Sequence, residues 1–555
     1  MLITLLAWMY ISFLCHAWGV LSIKILSKIA GNQARHAYGF SITCLVGLAA
    51  IAAVAQVISL CTGLSSLPIQ VLFFIPAVYV LFLYEKPRLF LHKLRSLIQN
   101  THAAVIFLFA AALLMVLVMG VYSISHPDTI AYHAQSIKWA ERYRVIPGLV
   151  HINYLYGLQN SWFLLCGLFS FSFTGTNALT FINTTVLVWL LIFLAQKINA
   201  SIRKPVNAYV AFLWLLLLFI HIWTYTQIRL TATSASPDFI ATIYILLIVF
   251  LCMQYRPAAE NLPLITFLCF FTFTIKLSAL PLILLVVYLQ YPFNRTKFFS
   301  GVLMAIVIIV PFLIRNAITS GYLLYPLAFP DIINANWKYN SQHLDFINKY
   351  ITAFARTRND LAAANQPFGS WIQTWWQLLY LADKLVIAVQ FFAIILFISN
   401  YWKITAANKM RRSLIFISLS GVLFWFWKAP DPRFGAGFLL SFPALVVCSE
   451  PFIKKTASLF QPRRMVILLS MLLGTAISCY TMYRLFYYFK PTELVSPEGI
   501  ILPYKSTCYH EINTCIPLIN NGNKNVLIVS DTAPNRHFDF RGTTVEQGFK
   551  ATEHK

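Results

Sequence analysis

Apolar runs of roughly 17 to 22 residues recur along the chain, each about as long as a ~30 Å hydrocarbon core requires of a helix. The pattern predicts membrane crossings near 2–20, 39–61, 67–84, 103–122, 178–195, 206–222, 237–254, 299–317, 383–400, 412–427, 435–450 and 464–486. A pair of shorter runs lies between 262 and 291, which brings the expected all-α polytopic bundle to about 14 helices. The spacing divides the chain into N-terminal helices (1–100), a helical core (101–486) and a small polar tail (487–555).

Composition agrees: 59% of residues are hydrophobic and 11% charged, with a mean hydropathy of +0.70, far from the balance of a soluble domain. The net charge of +24 does not point to nucleic acid, because the cations sit in short loops between apolar runs rather than on one continuous stripe. Such clusters include Lys24, Lys28 and Arg35; Lys86, Arg88, Lys93 and Arg95; Arg295 and Lys297; and Lys403, Lys409, Arg411 and Arg412. The positive-inside rule makes these loops cytoplasmic. Alternation then assigns the N-terminus, 123–177, 223–236, 318–382, 428–434 and the tail to the opposite face. This sidedness requires that the apolar run 156–173 not cross, so a re-entrant or interfacial helix is expected there. The first apolar run has its basic residues after it rather than before it, the reverse of a signal peptide, and is expected to remain as an anchor.

Eight of the ten cysteines lie in apolar runs, where cysteine serves as a small hydrophobe. Cys508 and Cys515 share the polar tail, which on this topology faces an oxidising compartment where a short-loop disulfide is expected. The tail has one strand-like run, 525–531, and reads as a lid or structural appendage.

Candidate chemistry concentrates on the predicted outer face. Asp128 follows a proline just past a membrane exit, and the next fifteen residues place Ile130, Ala134, Ile137 and Trp139 or Ala140 on one side and Gln135, Lys138, Glu141 and Arg142 on the other. That pattern predicts an amphipathic helix lying in the interface, holding Asp128 at headgroup depth as a general base or, alternatively, as a helix cap. His126, His133 and His151 match none of the common zinc spacings. Asp238, in Ser236-Pro237-Asp238, is either an ionisable group facing a cavity or a helix start. Lys276 interrupts an otherwise uncharged run, so the chain must turn near it, with arms of only about 22 Å, short of a full crossing. Arg315 closes the following run, and the two cations suit a phosphate or pyrophosphate. Trp371, Trp375 and Trp376 read as an aromatic belt, and Lys428, Asp431 and Arg433 as a local salt bridge.

This set of features resembles bacterial GT-C-type integral-membrane glycosyltransferases, the class related in architecture to aminoarabinose and protein O-mannosyl transferases. The resemblance rests on the early outer acid Asp128, the helix after it, Pro237-Asp238, Arg315-Asn316 with the Ser-Gly-Tyr and Leu-Tyr-Pro that follow, and Pro430-Asp431-Pro432-Arg433-Phe434-Gly435. It covers 122–437 and departs from the family in having one acid, preceded by His-Pro, in place of an adjacent acidic pair. The resemblance implies transfer of a sugar, with inversion, from a polyprenyl-phosphate carrier to a glycan, lipid or protein acceptor at the outer face of a bacterial inner membrane. Asp128 is then the base, Lys276, Arg315 and Arg433 bind the donor phosphate, and Asp238, Tyr132 and His133 orient substrate. The sequence requires no metal and leaves a divalent ion open as cofactor. Two rivals remain: a flippase for lipid-linked glycans, whose charges would lie nearer the midplane in a repeated architecture, and a polysaccharide polymerase or ligase.

Overall fold

A computed structural model describes residues 1–29, 38–84, 99–121, 126–174, 179–203, 233–254, 261–291, 295–358, 360–406, 409–447, 462–488 and, in the tail, 515–517, 526–528, 538–541 and 545–551. Among these, 9 helices are long and apolar enough to cross a membrane: Leu2–Ile29, Phe40–Ile58, Leu67–Tyr84, Ala103–Val121, Phe181–Ala200, Pro237–Gln254, Lys297–Ser320, Leu381–Ser399 and Ile467–Tyr487. Two further helices, Lys409–Lys428 and Pro432–Val447, occupy the runs expected at 412–427 and 435–450. The pattern is that of an all-α polytopic membrane protein; the crossing expected at 206–222 lies outside the described residues, as does Cys508 with its expected bridge to Cys515.

Close helix contacts occur where side chains are small, because lipid supplies no hydrophobic drive between helices and packing must do the work. A Cβ at Gly47 would lie 1.7 Å from the Cys15 carbonyl oxygen, and one at Gly19 would lie 1.9 Å from that of Thr43, so Leu2–Ile29 and Phe40–Ile58 meet backbone to backbone. Buried hydrogen bonds tie distant helices: Trp8 Nε1 donates to Thr184 Oγ1 (2.9 Å), Trp189 Nε1 to Ser12 Oγ (2.8 Å), and the Tyr244 hydroxyl to the Leu45 carbonyl (2.7 Å). Cys15, Cys44, Cys166, Cys252 and Cys269 are buried thiols within this packing.

The run around Lys276 breaks as expected. Leu262–Ile275 has 14 residues, Lys276 is extended (φ −154°, ψ 126°), and Leu282–Gln290 has 9 residues. At ~1.5 Å per residue neither arm spans a bilayer core. The run 156–173 likewise contains only an 8-residue helix, Ser161–Leu168, every residue of which is buried. It is therefore enclosed by protein instead of lying in an interface.

The helix after Asp128 corrects the sequence reading more sharply. Ala134–Arg142 is amphipathic in sequence, but every residue from Ala134 to Glu141 is buried, the polar side included. Lys138 and Glu141 neutralise each other at 2.7 Å with side chains 3% and 1% exposed, and the amides of Leu64 and Ser65 donate to the carbonyls of Ala140 and Glu141. The polar face packs on protein, so hydrophobic periodicity alone misassigned its surroundings.

Several contacts gather one end of the bundle. Thr180 Oγ1 donates to the Gly120 carbonyl (3.1 Å), Trp162 Nε1 to Asn183 Oδ1 (2.9 Å), and Asn183 Nδ2 to the Ser236 carbonyl (3.0 Å), while Ser161 Oγ and Thr274 Oγ1 share a proton at 2.8 Å. Described parts of the segments that charge alternation assigns to one side thus share one end. In the tail, 515–517 pairs antiparallel with 526–528, inside the strand-like run, and 538–540 with 549–551.

Candidate functional site

At that end the chain brings together four charged side chains from four separate segments. Asp128 lies on the loop after Ala103–Val121, Asp238 in the first turn of Pro237–Gln254, Lys276 at the break after Leu262–Ile275, and Arg433 in the first turn of Pro432–Val447. Arg433 bridges the two acids, donating from Nη1 to Asp128 Oδ2 at 3.0 Å and from Nε to Asp238 Oδ2 at 3.1 Å. Lys276 donates to the other Asp238 oxygen and lies 4.2 Å over the Phe434 ring. Two carboxylates and two cations balance, as buried charge requires.

The helix-cap reading of Asp128 fails, whereas the helix start expected at Ser236-Pro237-Asp238 is present, with the Asp238 amide on Ser236 Oγ. Asp128 stands at the N-cap position of the turn Thr129–His133, yet its side chain makes no cap hydrogen bond, because the guanidinium claims the carboxylate. Asp238 sits inside the first turn and spends both oxygens on cations. Nor is Asp431 part of a local bridge: its Oδ2 accepts from Arg358 Nη1 at 2.7 Å, across 73 residues, and its Oδ1 accepts from the Arg433 amide at 3.0 Å. Arg358 adopts φ +71°, uncommon for a residue with a side chain, where the Ser341–Thr357 helix ends. The turn is further held by Trp375 Nε1 on the Pro430 carbonyl (2.7 Å) and Trp425 Nε1 on that of Asp431 (2.6 Å). Trp371 and Trp375 are accordingly buried, which corrects the aromatic belt; Trp376 alone of the three is exposed. Trp375 and Trp425 secure the backbone that presents Arg433.

His126 and His133 join Asp128, their rings 5.6 Å apart, whereas His151 lies elsewhere with Nε2 3.0 Å from the Trp337 carbonyl. The Asp128 amide and Arg433 Nη1 each approach a different His126 nitrogen at 3.2 Å; a neutral imidazole accepts at one nitrogen only, so one of the two approaches is a hydrogen bond. Burial pulls His126 below its ordinary value and His133 down to about 3, so both rings are neutral at pH 7. Burial pushes the Asp128 carboxyl up, but Arg433 first, then His133 and His126, outweigh it and hold it below the usual carboxylate range. Tyr132 packs edge-on against His133 (4.4 Å) and Phe163 (6.1 Å), and burial pushes its phenol well above the ordinary value, leaving it a proton donor. Asp128 is the accessible member, its side chain 33% exposed against 9% for Asp238 and 15% for Arg433.

Residues 1–440 match a family described as a domain of unknown function, DUF8201. The chain belongs to the DUF8201 family. The matched span contains Asp128, Asp238, Lys276, Arg315 and Arg433 and ends before the last apolar helix and the tail. No curated protein and no solved structure matches the chain.

Arg315 stands apart from the four-charge cluster. It is buried, with Nη1 donating to Ser59 Oγ (2.9 Å) and Nη2 to Gln159 Oε1 (2.8 Å). Ser161, two residues after Gln159, and Thr274, two before Lys276, share a hydrogen bond between the neighbouring segments. In the sequence His126 stands out only as a candidate metal ligand and Arg358 not at all, since neither its spacing nor its local composition differs from other loop residues.

Proposed function

We propose that this chain is a membrane glycosyltransferase of GT-C-like architecture, moving a sugar with inversion from a polyprenyl-phosphate donor to a hydroxyl of a glycan, lipid or protein. The observation that carries the reading is Asp128: an accessible carboxylate kept ionised at the end of an apolar bundle, beside the charge cluster of Asp238, Lys276 and Arg433. In the step, the acceptor oxygen attacks the anomeric carbon, the bond from that carbon to the phosphate oxygen breaks with its electron pair leaving on the phosphate, and the acceptor proton passes to Asp128. Arg433 orients Asp128, while Asp238 with Lys276 anchors Arg433. These two cations, expected at the donor phosphate, serve in this reading to position the carboxylates. The distribution of Lys and Arg supports placing the site on the non-cytoplasmic side of a bacterial inner membrane.

A broken helix carrying a buried cation also suits a lipid-linked glycan flippase, and one experiment separates the two. Purified protein in nanodiscs is given radiolabelled polyprenyl-phosphate sugars and membrane extract as acceptor. Transfer is expected for wild type and is expected to fall by ~10²–10⁴-fold in Asp128→Asn. Transfer indifferent to Asp128→Asn removes the base, and glycan translocation across proteoliposomes without transfer replaces the enzyme by the flippase.

A further inference from the structure

The buried cations differ in how they are compensated. Arg433 has two carboxylates, Lys276 shares one of them, and Lys138 and Arg358 have one each. Arg315, 6% exposed, has none among the described residues: its partners are the neutral Ser59 and Gln159, and its Nε has no hydrogen-bond partner. A buried guanidinium without an anion is costly, and its five donors ask for acceptors.

A second unsatisfied group lies one helical turn from Ser59, the residue that receives Arg315. Gln56 is 1% exposed, yet neither its amide nitrogen nor its amide oxygen has a partner. It precedes Ser59 by one helical turn on the same side of Phe40–Ile58, and its backbone carbonyl accepts from the Ser59 hydroxyl (2.7 Å) that receives Arg315. Ordinary core packing does not leave a whole carboxamide unpaired one helical turn from the serine that holds an uncompensated guanidinium. Gln159, half-buried, holds Arg315 Nη2 from the loop side.

We propose that Arg315, with Ser59, Gln56 and Gln159, forms an anion site for a phosphoryl group, separate from the charge-balanced Asp128 cluster. The guanidinium offers its unpartnered Nε edge to phosphoryl oxygens, the Gln56 amide donates to a further oxygen, and Gln159 releases or shares Arg315 as the anion enters. A buried guanidinium without a carboxylate calls for an anion whatever the reaction; only the assignment of that anion to the donor's carrier phosphate rests on the transferase reading. The arrangement then places the leaving group and the base on different cations, so that Arg433 holds the base without also holding the phosphate.

The test uses purified full-length protein in zwitterionic nanodiscs, titrated with farnesyl phosphate, farnesol or inorganic phosphate while the melting temperature is followed. Farnesyl phosphate is expected to raise it by several degrees and farnesol to leave it unchanged; a comparable rise with inorganic phosphate makes the site one for free anion rather than a lipid headgroup. Arg315→Met is expected to abolish the rise while melting, without ligand, no lower than wild type, since an uncompensated charge has gone. Gln56→Leu is expected to weaken the apparent affinity at least tenfold, and Asp128→Asn to leave it intact even where transfer is lost. The proposal is overturned if no phosphoryl compound shifts wild type, if Arg315→Met retains the shift, or if Arg315→Met alone melts several degrees lower with Gln56→Leu binding normally. Retained phosphate binding with no sugar transfer by wild type sinks the transferase and spares the site.

Discussion

Replacing Arg433 by methionine keeps most of the side-chain volume and removes the one group that two carboxylates share. Removing one partner of a buried ion pair costs ~3–5 kcal/mol. Asp238, 9% exposed, falls in that regime but retains Lys276, so its share is reduced to ~2–3 kcal/mol. Asp128, 33% exposed, is screened by solvent, and its bond is worth ~1 kcal/mol or less. Arg433→Met is therefore expected to destabilise by ~3 kcal/mol, with double-mutant couplings of ~2–3 kcal/mol to Asp238→Asn and ~1 kcal/mol or less to Asp128→Asn. Reversible unfolding by SDS titration in mixed micelles, read by tryptophan fluorescence, measures both. The ordering is the critical point: a coupling to Asp128 equal to or larger than that to Asp238, or both below ~0.5 kcal/mol, refutes the bridge. Stability against pH supplies a second readout. The folded Asp128 carboxyl lies below its ordinary value, so its contribution is full above the unfolded value of ~3.9 and is lost only as pH falls through the lower folded value. In Arg433→Met the largest influence holding the carboxyl down is gone and burial pushes it up, so the acid loss that Asp128 contributes is expected to shrink or to reverse into a gain as pH falls; an acid limb identical to that of wild type counts against the geometry.

The helix pair at the N-terminal end offers a steric test: Gly47→Ala places a methyl 1.7 Å from a carbonyl oxygen that cannot move alone, so a loss of ~2–3 kcal/mol is expected. Gly369→Ala, in a helix where a Cβ meets nothing within 4 Å, is expected to be neutral or to gain up to ~1 kcal/mol, and equal melting of the two variants contradicts the packing. In the tail, Phe549 is buried against Trp139, Ile146, Leu149 and Tyr156, and its amide donates to the Pro147 carbonyl at 3.0 Å. Gly148 (φ +66°) and Gly548 (φ +88°) allow the two backbones to clasp. Phe549→Ala is expected to cost ~3 kcal/mol locally and to speed hydrogen exchange across 147–151; unchanged protection there means the tail does not brace the loop.

The apolar run lengths and the loop placement of Lys and Arg carried most of the architecture, because the bilayer imposes a length on each element and the charges respond to it locally. The same local rule exposed Lys276, since an ammonium inside an apolar run too short for two crossings must mark a break. It failed at Ala134–Arg142, where a polar stripe looked solvent-facing but is covered by the 59–65 turn and by Ser161–Leu168. It failed again at the Asp128 cap and at Asp431, where a local partner is available and the better one is remote. Arg433 meets Asp128 across 305 residues, and no spacing rule reaches that far. The chain alone determined which residues are too polar for lipid and therefore need partners. Only the assembled helices decided which partner each charge received, and among the described residues left Arg315 without a carboxylate and the Gln56 carboxamide unpaired, because ion pairing at depth depends on which helix ends converge.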